Sequence, residues 1–79
     1  MKAKPIKNLR DSALSLNVSA LGLAKTTRKY IADAEDEGLT GIGDDMNMAL
    51  YLIEEAADAL DKAARSLDRA GKSVKDGKA

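Results

Sequence analysis

The fold of this chain follows mainly from residues 44–74, which read DDMNMALYLIEEAADALDKAARSLDRAGKSV. Its apolar and small side chains recur at alternating steps of four and three residues, the spacing that keeps one stripe of a helix facing a partner helix. The stripe consists of Met46, Leu50, Ile53, Ala57, Leu60, Ala64, Leu67, Gly71 and Val74. We therefore expect one long amphipathic helix that packs through this stripe.

A second ladder of the same kind precedes it. It consists of Leu9, Ala13, Leu16, Ala20, Leu23, Thr27, Tyr30 and Ala34. The residues around Asn17 and Gly22 are mediocre helix formers, and Asn17 would be able to cap a new helix after a short break. Because the ladder runs through this stretch without interruption, the sequence favours one continuous helix.

Glycines separate the two ladders. Gly38 suits the left-handed position that ends many helices, and Asp44 is a good N-cap type for the next helix. We expect helices over about residues 8–37 and 44–71, a turn over 38–43, and flexible ends, all within one domain spanning 1–79. Two helices of equal length joined by a short turn pack antiparallel, so the predicted fold is all-α, a long two-helix hairpin.

Composition excludes several functions. The chain has no Cys and no His, which removes thiolate chemistry, disulfides and the commonest general base and metal ligand. No apolar run approaches the roughly 18 residues of a membrane span, and no signal-peptide pattern follows the basic start. We expect a cytoplasmic protein that is not an enzyme, holds no cofactor and does not enter a membrane.

The densest carboxylates lie on the second helix. Glu54, Asp58 and Asp61 share a face by helical spacing, which would suit a cation. Lys62 and Arg65 stand at ion-pair spacing from them, and no inward-facing carboxylate motif accompanies them. The sequence favours a solvated, ion-paired surface and predicts no metal site.

The second helix carries more apolar surface than one partner helix can cover. A neighbouring row contains Ala49, Leu52, Ala56, Ala59 and Ala63. A two-helix hairpin buries one stripe per helix, and a contiguous apolar row left in water is unfavourable. These residues are therefore predicted to mediate self-association, with two hairpins forming a homodimeric four-helix bundle.

Charge is unevenly distributed although the formal net charge is zero. Residues 1–10 contain only basic charges, residues 33–45 only acidic ones, and residues 69–79 are mostly basic. In an antiparallel hairpin this makes one end basic and the other acidic. A dimer that lays one hairpin against the other in reverse would bring unlike ends together, which selects orientation more than it adds affinity.

Two kinds of partner remain open. The favoured one is another protein, met by Met48, Tyr51, Asp44 and Asp45 near the turn. The alternative is a nucleic acid, met by the basic N-terminal arm together with Lys25, Arg28 and Lys29. That patch lacks both a recognition-helix arrangement and aromatic stacking residues, so the protein partner is preferred.

The segment Asp45-Met46-Asn47-Met48-Ala49-Leu50-Tyr51-Leu52-Ile53-Glu54-Glu55-Ala56 resembles the second helix of small helical-hairpin proteins of unknown function from pseudomonads and related bacteria. The resemblance spans about residues 14–68 and implies the hairpin and a bacterial or mobile-element origin. It transfers no activity and no functional residue. Small phage and prophage proteins of this size often bind host proteins, so we expect a non-enzymatic protein-interaction module, for example a small regulator or inhibitor.

Overall fold

The computed structural model describes residues 2–38, 41, 43–75 and 77. It contains two helices, α1 (Ala3–Asp36) and α2 (Gly43–Lys75), which pack against each other. They form a rod with extents of 59 × 15 × 12 Å. The predicted all-α hairpin is confirmed, and the described residues contain no strand.

Helix α1 begins at Ala3, well before the start expected near residue 8. Pro5 does not prevent this, because it lies in the first turn, where backbone N–H groups have no intrahelical partner. Ile6 explains why the segment is helical: its side chain is only 6% exposed and lies against α2. The flexible arm predicted for these residues is therefore wrong from Ala3 onward.

Helix α2 begins at Gly43 and continues to Lys75, past the predicted end at residue 71. Gly71 does not end the helix. It lies in the contact between the helices, since a Cβ atom placed on it would meet Ile6 Cγ2 at 3.6 Å. Asp44 lies inside the first turn rather than at the cap, and Lys72 and Lys75 lie in the last turn. An acidic residue in the first turn and basic residues in the last turn interact favourably with the helix dipole. The predicted flexibility of residues 1, 76, 78 and 79 lies outside the described residues.

No break occurs at Asn17, since α1 is continuous through it. Its side-chain Nδ2 donates a hydrogen bond across the hairpin to the Ala57 carbonyl oxygen at 2.7 Å. The residue that most weakened the helix prediction is thus a link between the helices.

Gly38 ends α1 as predicted. It has a φ of 74°, in the left-handed region, and its N–H donates to the Glu35 carbonyl oxygen at 3.0 Å. The N–H of Glu37 donates to the Asp33 carbonyl oxygen at 3.1 Å. These bonds satisfy the last carbonyls of α1 and let the chain turn back.

The contact between the helices, here called the seam, follows a heptad in both. In α2 the predicted ladder is the observed seam, extended back to Gly43. In α1 only half of the predicted ladder is there. The α1 seam consists of Ala3, Ile6, Arg10, Ala13, Asn17, Ala20, Ala24, Thr27, Ile31 and Ala34. Taking Ala3 in α1 and Gly43 in α2 as heptad position a, every seam residue falls at a or d.

The α1 side of the seam is made mostly of small side chains, whereas α2 contributes the half-buried Leu50, Ile53, Leu60 and Leu67. The buried apolar residues of the seam are Ile6, Ala13, Ala24, Ala57 and Ala64. Thr27 is buried too, and its hydroxyl donates to the Leu23 carbonyl oxygen at 2.8 Å, so it costs no unpaired polar group. Alanine removes little apolar area from water, so α1 contributes less to the apolar burial of the seam than the larger side chains of α2 do.

Candidate functional site: a two-sided hairpin

The seam leaves two flanks along the rod, and they differ in chemistry. In an antiparallel helix pair the e positions of both helices lie on one flank and the g positions on the other. The ion pair between Arg28 and Glu54, at 3.6 Å, joins two e positions and confirms this arrangement. Grooves on the same flank bring Leu14 beside Asp68 and Leu21 beside Asp61.

The e flank, with the b positions next to it, holds the ion pairs and is here called the charged face, although Leu14, Val18 and Leu21 are also exposed on it. Arg10 of α1 forms an ion pair with Asp68 of α2, with 2.8 Å between Arg10 Nη1 and Asp68 Oδ1. Along α2, Lys62 pairs with Asp58 and Arg65 with Asp61, each at 2.9 Å. The expected partnership of Lys62 and Arg65 with these carboxylates is confirmed.

These contacts shift ionisation. Hydrogen bonds from Arg10 and then Lys72 lower the pKa of Asp68 below its ordinary value. Hydrogen bonds to Asp11 and Asp68 raise the pKa of Arg10, and the bond to Asp58 raises that of Lys62. Each of these three shifts favours the charged form of its group. Within the described residues, no group of acidic side chains is placed to hold a metal ion.

The g flank, with the c positions next to it, is the apolar face. From α1 it includes Leu9, Ser12, Leu16, Ser19, Leu23, Thr26 and Tyr30. From α2 it includes Ala49, Leu52, Ala56, Ala59, Ala63, Ser66 and Ala70. All of these residues are exposed and none is charged. We call the α1 g positions, Leu9 through Tyr30, the leucine row, and the α2 g positions, Ala49 through Ala70, the alanine row.

The residues predicted to mediate self-association all lie on this face. Ala49, Ala56 and Ala63 belong to the alanine row, and Leu52 and Ala59 are the c positions beside it. Each is exposed in the single chain.

Sequence reasoning missed the other half of the face. It assigned the leucine row to the hairpin seam, yet Leu16 is 56% exposed and Leu9 and Leu23 are exposed to a similar extent. The reason is that the observed seam carries polar groups at Arg10 and Asn17, both at a positions. The predicted ladder instead followed the leucines at the g positions. A competing ladder through Ile6, Ala13, Ala20 and Ala24 was the available signal.

The residues expected to meet a protein partner near the turn lie on the first turns of α2. Asp44, Met48 and Tyr51 follow one another at steps of four and three residues, so they share one side of the helix, with Asp45 next to them. All four are exposed, and Asp44 and Tyr51 occupy b positions on the charged face. Of the four, Asp45, at a c position, borders the apolar face.

The residues of the basic patch lie on one side of α1, and one of them is ion-paired. Arg28 pairs with Glu54, while Lys25 and Lys29 are exposed at b and f positions on the outer side of α1. The patch shares its side of the rod with the carboxylates of α2, which weakens any positive field there.

The ends of the apolar face carry opposite charges. At the turn end, Asp33 and Asp45 occupy c positions. At the other end, Lys2 stands one heptad before Leu9, and Arg69 leans over the face by donating from Nη2 to Ser66 Oγ at 3.1 Å. The uncharged rows are thus bounded by acid at one end and base at the other.

Neither described helix combines the length and the apolar composition that crossing a membrane requires. No protein-family model matches the chain, and comparison with curated proteins and with solved structures found no significant match.

Proposed function

We propose that this protein is a non-enzymatic protein-interaction module that docks onto helices of another chain through its apolar face. The observation that carries the proposal is the sidedness of the rod. Every ion pair among the described residues lies on the charged face or at its border with the seam. The apolar face holds the leucine row, more than half exposed, beside the alanine row.

The chemistry of this face suits a helical protein surface. Alanine and serine allow a partner helix to approach closely, and the neighbouring leucines supply apolar area that water solvates poorly. A phosphate-bearing ligand would need cationic side chains, and the face has none between Leu9 and Tyr30 or between Ala49 and Ala70.

Surface area supports the same conclusion. The chain has an accessible surface of 5967 Å². A compact monomer of 8.4 kDa is expected to expose about 4,600 Å². The surplus of about 1,400 Å² exceeds the roughly 800 Å² that each partner contributes to a standard interface. The rod therefore has enough surface beyond a compact shape to supply one full interface.

The proposed biological role is that of a small bacterial or phage-type regulator or inhibitor that acts by covering a partner's helical surface. A module of this kind needs a shaped apolar face rather than reactive groups.

Affinity capture with three tagged baits tests the proposal: the natural chain, Leu16→Glu and Val18→Glu. Leu16 lies on the apolar face, while Val18, which is 68% exposed, lies on the charged side of the same helix. We expect proteins retained by the natural chain and by Val18→Glu to be lost with Leu16→Glu. Retention of the same proteins by all three baits would refute docking through the apolar face.

The alternative is a nucleic-acid-associated factor that uses Lys25, Lys29 and the basic end. Its support is that Lys2, Lys4 and Lys7 are exposed at one end of the rod. A gel-shift titration in salt separates the two functions, because phosphate contacts lose affinity steeply with salt while apolar docking does not. A salt-sensitive shift that is lost in a Lys25→Ala, Lys29→Ala variant would favour the alternative.

A further inference from the structure

We infer that the partner covering the apolar face is a second copy of this chain, docked in reverse, so that α1 lies antiparallel to the partner's α1 and α2 antiparallel to the partner's α2. This rests on the proposed function and names the occupant of the same surface. The product is a four-helix bundle in which the leucine rows meet each other and the alanine rows meet each other.

The size of the face fits a second hairpin. From Leu9 to Tyr30 the uncharged rows extend about 32 Å at 1.5 Å per residue. Two helices side by side make the face about 20 Å wide, which gives a footprint of about 600 Å² per copy. Two footprints amount to about 1,200 Å², the lower bound for a specific, stable interface. A single partner helix would leave about half of this width in water.

The face is also complementary to itself under a two-fold axis perpendicular to the helices. The midpoint of the leucine row falls beside Ser19, and that of the alanine row falls beside Ala59. Since Ile6 lies level with Gly71, the two midpoints stand at nearly the same height along the rod, within about 3 Å. One axis can therefore pass through the centres of both rows, as a two-fold dimer requires.

Charge selects the reversed orientation. If the two hairpins pointed the same way, Asp33 and Asp45 of both copies would crowd at one end of the interface without a base. In reverse, these carboxylates face the partner copy's end that carries Lys2 and Arg69. Like charges placed together raise the energy of the wrong arrangement, so the ends act as orientation signals.

The first test is the state of association. Sedimentation equilibrium over about 1–100 µM should show a reversible monomer–dimer mixture or a dimer. Leu16→Glu should raise the dimer dissociation constant about 100-fold, while Val18→Glu should change it less than about threefold. Helical content, followed by circular dichroism, reports whether each variant remains folded. A chain that stays monomeric throughout would overturn the inference, and the capture experiment above would still decide the proposed function.

The second test fixes the orientation without relying on a destabilising variant. The chain contains no Cys, so single substitutions give clean cross-linking sites. Near the proposed axis, Ala59→Cys should oxidise to a disulfide-linked dimer, since its two copies come within bonding distance. Leu52→Cys and Ser66→Cys should each fail alone but cross-link when mixed.

Either of two results would overturn the reversed dimer. One is efficient cross-linking of Leu52→Cys with itself. The other is a dimer by sedimentation in which Ala59→Cys forms no disulfide under the same oxidising conditions.

Discussion

Gly71→Ala is the substitution that tests the structure most sharply. Gly71 lies inside α2, at a seam position, and a Cβ atom there would meet Ile6 Cγ2 at 3.6 Å. That distance is an ordinary van der Waals contact, so the methyl group fits without displacing α1. The substitution thus adds a contact and removes the helix-weakening residue at the point where the sequence predicted α2 to end.

The expected magnitude follows from two terms. Replacing glycine by alanine inside a helix favours folding by about 0.8–1 kcal/mol. Burying one methyl group against Ile6 adds up to about 0.8 kcal/mol. The free energy of unfolding should therefore rise by about 1–2 kcal/mol, which corresponds to an increase in melting temperature of about 4–12 °C for a domain of this size.

Two other glycines provide matched controls. Gly22 is helical with nothing within 4 Å of its added Cβ, so Gly22→Ala should give the propensity term alone, about 0.8–1 kcal/mol. Gly38 has a φ of 74°, so Gly38→Ala should destabilise the turn by about 1 kcal/mol. Thermal and urea unfolding at one fixed protein concentration measure all three. If Gly71→Ala proved neutral while Gly22→Ala stabilised, the chain around Gly71 would not be helical against Ile6, and the reasoning would be refuted.

Two further predictions concern the seam and its ion pairs. Ala24 is 0% exposed, so Ala24→Leu should overpack the seam and lower the free energy of unfolding by about 1–3 kcal/mol. Ala32→Leu, at an exposed position of the same helix, should change it by less than about 0.5 kcal/mol. Urea titrations measure both. Asp68 has a lowered pKa, so its interactions with Arg10 and Lys72 stabilise the folded chain above the ordinary carboxyl pKa and are lost as pH falls through the folded-state value. Asp68→Asn should therefore melt at a lower temperature than the natural chain at pH 7. Near pH 2 the two melting temperatures should lie closer together, and an equal difference at both pH values would contradict this.

The sequence predicts α2 better than α1, and the reason is local. In α2 the seam is the most apolar stripe, so periodicity alone identifies Leu50, Ile53 and Leu60. In α1 the stripe with the largest side chains is not the seam. Arg10 and Asn17 occupy seam positions and reach across to Asp68 and to the Ala57 carbonyl, contacts that periodicity of apolar residues does not reveal.

The helix ends were misjudged because local propensity was weighed without its tertiary contact. Pro5 and Gly71 each suggest a boundary when considered alone. In the structure they belong to one place, where Ile6 from the first turns of α1 packs at Gly71 of α2. This contact joins residues near opposite ends of the sequence, so a prediction from neighbouring residues alone does not include it.

The candidate docking surface was half predicted for a related reason. The alanine row was identified because α2 has two apolar stripes and only one can face α1. The leucine row was placed in the seam, although its large side chains would hold the helices further apart than Ala13, Ala20 and Ala24 do. In α1 the small residues lie in the seam and the large ones outside it, so the greater apolar area of this helix faces outward.

This distribution ties folding to association. On its α1 side the seam buries mostly alanine, and its polar links through Arg10 and Asn17 specify register more than they add stability. The leucine row is large enough to contribute the missing apolar burial, but only when another chain covers it. Under the proposed dimer the hairpin and the interface form one cooperative unit, because each copy completes the core of the other. The unfolding midpoint of the natural chain would then rise with protein concentration, and that of Leu16→Glu would not.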